Sequence, residues 1–274
     1  MTELVRFRRL VWRYYRVHGR HDLPWRRTHD LYKILVSEVM LQQTQVDRVV
    51  PFYMSFIKKF PTAKILAAAP LSDVLRAWQG LGYNRRAKML HDAAAELVAV
   101  QISSYRTNPE LLERLPGVGP YTARAVAAFA YNKDVVVVET NIRTVMIHHF
   151  FPEIKNVRDK NIEEVLQSVL PKGRAREWYS ALMDYGAYLK RSGISHNGRV
   201  QGYVKQARFT GSLREARGVL LRELTAKPSS REDLLRVVFQ RLGEERREQI
   251  GRALDNLCRE GLAQRHGRYY RLAN

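Results

Sequence analysis

Leu115-Pro116-Gly117-Val118-Gly119-Pro120-Tyr121-Thr122-Ala123 holds two glycines one residue apart, followed at once by apolar residues at helical spacing (Ala123, Val126, Ala127, Ala130). Glycine reaches positive φ angles and lets another backbone come close. A helix starting there offers unpaired N–H groups at its first turn. Such a turn is suited to hold an anion, and a nucleic-acid phosphate is the natural one. Upstream lies an acid, Glu38, in Ser37-Glu38-Val39-Met40-Leu41-Gln42-Gln43-Thr44. Downstream lies another, Glu139, after four valines and before Thr140-Asn141-Ile142-Arg143. A phosphate clamp with an acid on either side points to hydrolytic chemistry on nucleic acid.

The chain has 274 residues, 45% hydrophobic and 27% charged, which fits one or two folded domains. Its 47 Lys and Arg against 27 Asp and Glu give a net charge of +20. Self-repulsion of that size is best tolerated beside a polyanion: DNA, RNA or an anionic membrane. No apolar run approaches the roughly 20 residues needed to span a bilayer, so no membrane partner is expected. The N-terminus, Met1 to Leu10, shows no secretory signal. A cytoplasmic, chromosome-associated protein is expected. The one cysteine, Cys258, allows neither an internal disulfide nor a cysteine-ligated cluster. His148 and His149 are adjacent and would point about 100° apart on a helix, a poor chelate, so no protein-held transition metal is expected.

Most of the chain to about Gly193 reads as helices joined by short turns. Leu31 to Tyr53 carries helical spacing with a bend at Pro51. Thr62 and Ser72 are candidate helix caps. Asp134 to Val138 has the β-branched content of a strand, yet has no partner run, and reads as a buried connector leading to a helix near Asn141. From Ser195 the composition turns to Gly, Asn, Arg, Gln and Lys. The division is therefore 1–194 as a helical core, 195–210 as a basic linker and 211–274 as a small C-terminal domain. Helices over Leu213–Thr225, Ser230–Leu242 and Glu244–Glu260, then a hairpin at His266-Gly267, describe a winged helix. Its third helix, with Arg246, Arg247, Arg252 and Arg259, is the groove-facing candidate; a helical packing or dimerisation module is the competing reading.

Glu38 sits in an apolar helical pattern. Desolvation there raises a carboxyl pKa and suits it to donate a proton near neutral pH; a surface Glu paired with Lys33 or Arg48 is the competing reading. Glu139 is either a helix cap, for which Asp is better suited, or a fixed negative charge facing an oxocarbenium-like sugar. Tyr121 either reaches an extruded nucleotide or packs. The amides of Gln42-Gln43 and the aromatic of Leu81-Gly82-Tyr83 are of the kinds that fill the gap left by a flipped base.

Together these segments resemble the helix–hairpin–helix DNA glycosylases, within them the adenine (MutY-type) branch. The resemblance rests on Leu23-Pro24-Trp25-Arg26, Ser37 to Val46, Trp78 to Tyr83, Leu115 to Thr122 and Asn141 to Val145, in order. It implies an all-α glycosylase core ahead of the winged helix, and a monofunctional hydrolase that excises adenine opposite G or 8-oxoguanine from double-stranded DNA, as a monomer. It implies that Glu38 protonates the adenine and helps activate water, and that Glu139, at a position usually Asp, steadies the oxocarbenium ion. Asn141 and Tyr121 orient the carboxylates and the sugar. Gln43 and Tyr83 push into the duplex; Thr44 and Leu81 lie near the opposite base. Gly117, Val118, Gly119 and Thr122 hold phosphate, and carbonyls near Leu115 and Val118 often hold a monovalent cation in the family. Trp25 and Arg26 line the base pocket. Lys in place of Tyr121 marks the bifunctional relatives.

Four departures qualify the likeness. The family's four-cysteine iron–sulfur loop should follow Asp184-Tyr185-Gly186-Ala187, where this chain has no cysteine to Gly211, so no cluster is expected; Lys190, Arg191, Arg199, Lys205 and Arg208 stand in for its phosphate contacts. Glu139 is one methylene longer than Asp. Ser180 replaces a base-contacting Gln or Glu. The usual C-terminal domain that inspects 8-oxoguanine gives way to the winged helix. Two alternatives stay open: a glycosylase for thymine or uracil opposite G or for a damaged purine, and a DNA-binding protein that no longer cuts.

Overall fold

The computed structural model describes residues 2–202, 208–243 and 246–274. Lys205 and the expected helix start at Glu244 lie outside the described residues. The chain folds into two compact units. The first comprises residues 1–38, 102–114 and 118–205; the second comprises 39–101, 115–117 and 206–274. The expected linker, 195–210, runs from the first unit into the second, and the C-terminal segment shares its unit with residues 39–101.

Fourteen α-helices occur among the described residues: α1 (Glu3–His18), α2 (Leu31–Leu41), α3 (Val46–Lys59), α4 (Ala63–Ala68), α5 (Leu71–Trp78), α6 (Arg85–Ala99), α7 (Ser104–Thr107), α8 (Pro120–Tyr131), α9 (Thr140–Phe150), α10 (Asp159–Val169), α11 (Ala175–Arg191), α12 (Leu213–Ala226), α13 (Arg231–Leu242) and α14 (Arg247–Arg259). None is long and apolar enough to cross a membrane, among the described residues.

In the first unit α11 packs against α9 and α1. Their core includes Val11, Val137, Ile142, Val145, Trp178, Tyr179 and Leu182. Asp134 to Val138 forms no strand. The Tyr179 hydroxyl donates to Val135 O at 2.7 Å and accepts from Val137 N at 3.2 Å. A buried side chain thus satisfies the connector's backbone where a neighbouring strand would have done so.

The single helix read over Leu31 to Tyr53 is two helices. Gln43 takes φ +53 and breaks the pattern, and Pro51 lies inside α3. Thr62 caps α4 through Ile65 N. Ser72 does not cap: Pro70 holds that position, and Ser72 is buried inside α5.

The C-terminal segment runs α12, β1 (Ser229–Ser230), α13, α14, β2 (Ala263–His266) and β3 (Tyr269–Leu272). Its antiparallel sheet has the order β1-β3-β2, with His266 paired to Tyr269 across the hairpin. Arg217 grips Glu260 with two bonds of 2.7 and 2.6 Å, tying α12 to the end of α14.

Candidate active site

The acid site lies in the first unit. Helix α2 is apolar nearly all round, and Ile34, Leu35, Val36, Val39 and Met40 are at most 4% exposed. Such a helix is buried on every face, and Glu38 is buried with it, 7% exposed. No surface pairing with Lys33 or Arg48 is therefore available to it. Burial, then the nearby Glu139 charge, pushes the Glu38 carboxyl from 4.5 up to about 7; a hydrogen bond from Tyr121 opposes the rise. The proton is thus held near neutral pH, where it can be donated.

Tyr121 follows Pro120 at the start of α8. Its pKa is well above the usual value because its hydroxyl is buried beside Glu38 and Glu139. The residue keeps 37% of its surface accessible. The hydroxyl therefore remains protonated and serves as a donor to Glu38.

Glu139 is the N-cap of α9. Its Oε1 accepts from Asn141 N at 2.6 Å and Ile142 N at 2.8 Å, while Oε2 accepts from the Thr140 hydroxyl at 3.1 Å. The longer side chain folds back over the first turn and caps it, which the preference for Asp at caps did not anticipate. A negative charge at a helix N-terminus is stabilised there. One oxygen is saturated by backbone donors; the other keeps capacity toward a cation. The two readings of Glu139, cap and fixed charge, are compatible.

Two residues given no catalytic part by the sequence attend this group. Arg143, one turn into α9, makes a fork–fork pair with Asp159 at 2.8 and 2.7 Å and interacts with Glu139 and Tyr121. Lys190, read as a phosphate contact, interacts with Glu139, which opposes the fall that burial imposes on its ammonium. Gly186 fixes the approach of α11 to α9: a Cβ there would lie 2.3 Å from Asn141 O and 2.7 Å from its carbonyl carbon. Asn141 is therefore clamped by backbone contact. Only the absence of a side chain in Asp184-Tyr185-Gly186-Ala187 signals this in the sequence.

Trp25 and Arg26 sit on a short 3-10 helix, Pro24–Arg27. Arg26 donates to both Asp184 oxygens at 2.6 and 3.0 Å, and Arg20 holds the same carboxylate. The pairs pull the Asp184 pKa below its usual value against its burial. Arg26 is thereby committed to Asp184 in this state. Ser180 is buried, donates to Arg176 O at 2.9 Å and meets the Tyr15 hydroxyl.

In the hairpin only Gly117 takes positive φ, +75; Gly119 is extended (φ −90, ψ 177) and is the N-cap of α8. Gly119 thus contributes space rather than a left-handed turn. No side chain caps α8. Leu115, Val118 and Thr122 turn their side chains inward, 3%, 6% and 4% exposed, so what the hairpin offers a phosphate is backbone. Gly117 is required twice, since a Cβ would also sit 2.8 Å from Met89 Cβ within the second unit.

That unit carries the two wedge candidates on adjacent strained turns. Gln43 (φ +53) is exposed after α2; Tyr83 (φ +50) follows Gly80 (φ +97) and Gly82 (φ +86). Leu81 is buried, 3% exposed, and presents no surface here. Arg86, missed by sequence reasoning, joins the turns. It is buried and donates to Val39 O (2.8 Å), Met40 O (3.0 Å), Gln42 O (2.6 Å), Thr44 Oγ1 (3.2 Å) and Gly82 O (3.1 Å). Its guanidinium also lies over the Trp78 and Tyr83 rings at 5.6 and 5.2 Å. Arg246, just before α14, is held by Glu215 at 2.8 Å and is not available to a groove; Arg252, within α14, is exposed.

No group of three or more His, Cys, Asp or Glu able to hold a metal occurs among the described residues. The arrangement can offer a proton (Glu38), a hydroxyl donor (Tyr121) and a fixed negative charge (Glu139). A family model described as the HhH-GPD superfamily of base excision DNA repair proteins matches residues 36–172. An adenine DNA glycosylase of Mycolicibacterium smegmatis is 39% identical over 268 residues, covering 90% of this chain and 89% of the relative. One of Mycobacterium tuberculosis is 38% identical over 237 residues, covering 79% and 77%. A thermostable thymine-DNA glycosylase structure superposes with a TM-score of 0.63 at 27% identity, over 71% of this chain and 90% of that one.

Proposed function

The chain belongs to the HhH-GPD superfamily of base excision DNA repair proteins, in the adenine glycosylase-like branch, and from that premise we propose that this DNA glycosylase excises adenine opposite G or 8-oxoguanine by hydrolysis. One observation carries the reading: a buried, proton-holding Glu38 hydrogen-bonded to Tyr121 and electrostatically coupled to Glu139. Base loss needs a proton on the departing purine and a negative charge facing the sugar cation. Glu38 supplies the first and Glu139 the second. Tyr121 and Asn141 orient them.

The reaction is monofunctional. Tyr121 stands where an amine would be needed for a Schiff base, and borohydride should trap no covalent complex. Gln43 and Tyr83 occupy the space of the flipped base, Thr44 meets the opposite base, and the Gly117–Gly119 backbone holds phosphate, with a monovalent cation at the carbonyls near Leu115 and Val118. Trp25, Arg26 and Ser180 border the base pocket. An iron–sulfur cluster does not fit this chain: its one cysteine, Cys258, lies in α14. We read the C-terminal segment as a winged helix, and the protein as a monomer acting on mismatched chromosomal DNA in the cytoplasm.

The test is base release from duplexes with A opposite G or 8-oxoguanine, with Glu38→Gln as control. Undiminished release by that variant removes Glu38 from its part. The likeness to a thymine-DNA glycosylase favours one second reading, thymine or uracil opposite G; release of a pyrimidine without adenine in the same panel selects it.

A further inference from the structure

The first unit contains a groove of about 690 Å³ remote from the acid pair, formed by α1 and the start of α11. Arg6, Arg9, Arg13 and Arg16 recur at helical spacing and line it, with Trp12, Tyr15 and Arg174. At 1.5 Å per residue the row spans about 15 Å, and Arg174 lies about 18 Å along the α11 direction from Gly186 at the acid site. Elsewhere Arg20, Arg26, Arg143, Arg217 and Arg246 each hold a carboxylate at 2.6 to 2.8 Å. Arg6, Arg13 and Arg16 have no carboxylate partner among the described residues. The groove's one acid, Glu177, is already taken by Arg174 at 2.6 Å. Repulsion along such a row is relieved by an anion.

The aromatic residues narrow the ligand class. Trp12 and Tyr15 are half-buried, their centroids 6.3 Å apart, and Arg174 lies 4.5 Å over the Trp12 ring. Cationic side chains along a groove with rings at its floor suit a strand whose bases are unstacked. A volume in this range takes a group of nucleotide size, whereas a duplex offers no open base face for stacking. We propose that the α1 groove binds a short stretch of single-stranded nucleic acid, phosphates on the arginines of α1 and a base stacked on the Arg174 guanidinium that covers Trp12, as a site separate from the acid pair.

The test compares the full-length protein with two charge-matched variants. One carries Arg6→Gln, Arg13→Gln and Arg16→Gln; the other carries Lys58→Gln, Lys64→Gln and Lys160→Gln. Binding of a labelled oligothymidylate is measured across a salt series. The groove variant should lose about tenfold or more in affinity and about 2 from the salt slope, at roughly 0.7 per phosphate contact. The lysine variant should match wild type on both counts. Base release from a short mismatched duplex should be unchanged in both, which separates this site from the proposed chemistry. Equal losses in the two variants, or none in either, overturn the proposal. A deoxynucleoside triphosphate that displaces the strand at equal phosphate concentration assigns the groove to free nucleotides and overturns it too.

Discussion

The Tyr121 hydroxyl donates to the Glu38 carboxylate inside an apolar helix environment that by itself holds the proton on Glu38. The two influences oppose one another, and burial wins. Exchange of Glu38 for Gln keeps the shape and removes the titration. Base release should fall by roughly 100-fold to 10,000-fold, the span of general acid catalysis. In the wild type the rate should fall about tenfold per pH unit above pH 7, as the acid form is depleted. Single-turnover release over pH 5 to 9 checks both.

The same burial costs stability. Glu38 binds its proton more tightly folded (about 7) than unfolded (4.5). Between those values the native state holds more protons, so stability falls as pH rises through this window and levels off above pH 7. A shift of that size corresponds to about 3 kcal/mol. Glu38→Gln should therefore be more stable than wild type at pH 8 and close to it at pH 4.5. Urea unfolding at the two pH values measures the difference; a constant gap at both would contradict the assignment.

Removing the opposing influence should move the titration further. Tyr121→Phe deletes the donor to the carboxylate, so the Glu38 pKa should rise above 7 and the alkaline limb of base release should shift upward. A merely packing tyrosine would leave that limb in place.

Glu139 allows cap and charge to be separated. Asn is a good N-cap, so Glu139→Asn should keep most of the stability of α9 while losing the negative charge. Thermal unfolding should change little, and base release should drop about 100-fold or more, as when a preorganised electrostatic group is removed. Glu139→Ala should add a loss of about 1 kcal/mol from the missing cap. If Asn and Ala lower both quantities alike, the charge has no separate part.

How much was legible in the sequence depends on whether the signal was local. The glycine pair, the apolar surroundings of Glu38 and the break before Asn141 are all local patterns, and each led to the right element. Glu139 as a cap was undervalued, because residue preference is an average and this side chain folds back on its own helix. Arg86 could not be singled out: a chain with 47 basic residues does not mark which one is buried under five acceptors. Arg26 shows the same limit in reverse, since Asp184, 158 positions away, claims it. Gly186 was visible as a glycine in a helix, but its partner, Asn141 O, exists only once α9 and α11 cross.

Tyr83 and Arg214 provide the last expectation. Arg214 of α12 donates to the Tyr83 hydroxyl and lies 5.4 Å from the ring centroid, while Arg86 lies 5.2 Å from it. The C-terminal segment thus helps hold a tyrosine whose backbone is already strained at φ +50. A charge-assisted hydrogen bond and a cation–π contact together contribute about 2 kcal/mol. Arg214→Ala should destabilise by about that amount, and Arg214→Lys by less. The loss should shrink by about 1 kcal/mol or more in a Tyr83→Phe background, because the hydroxyl partner is already gone there. Urea unfolding of the four proteins of this cycle measures the coupling; strict additivity would show that the two side chains are neighbours without interaction.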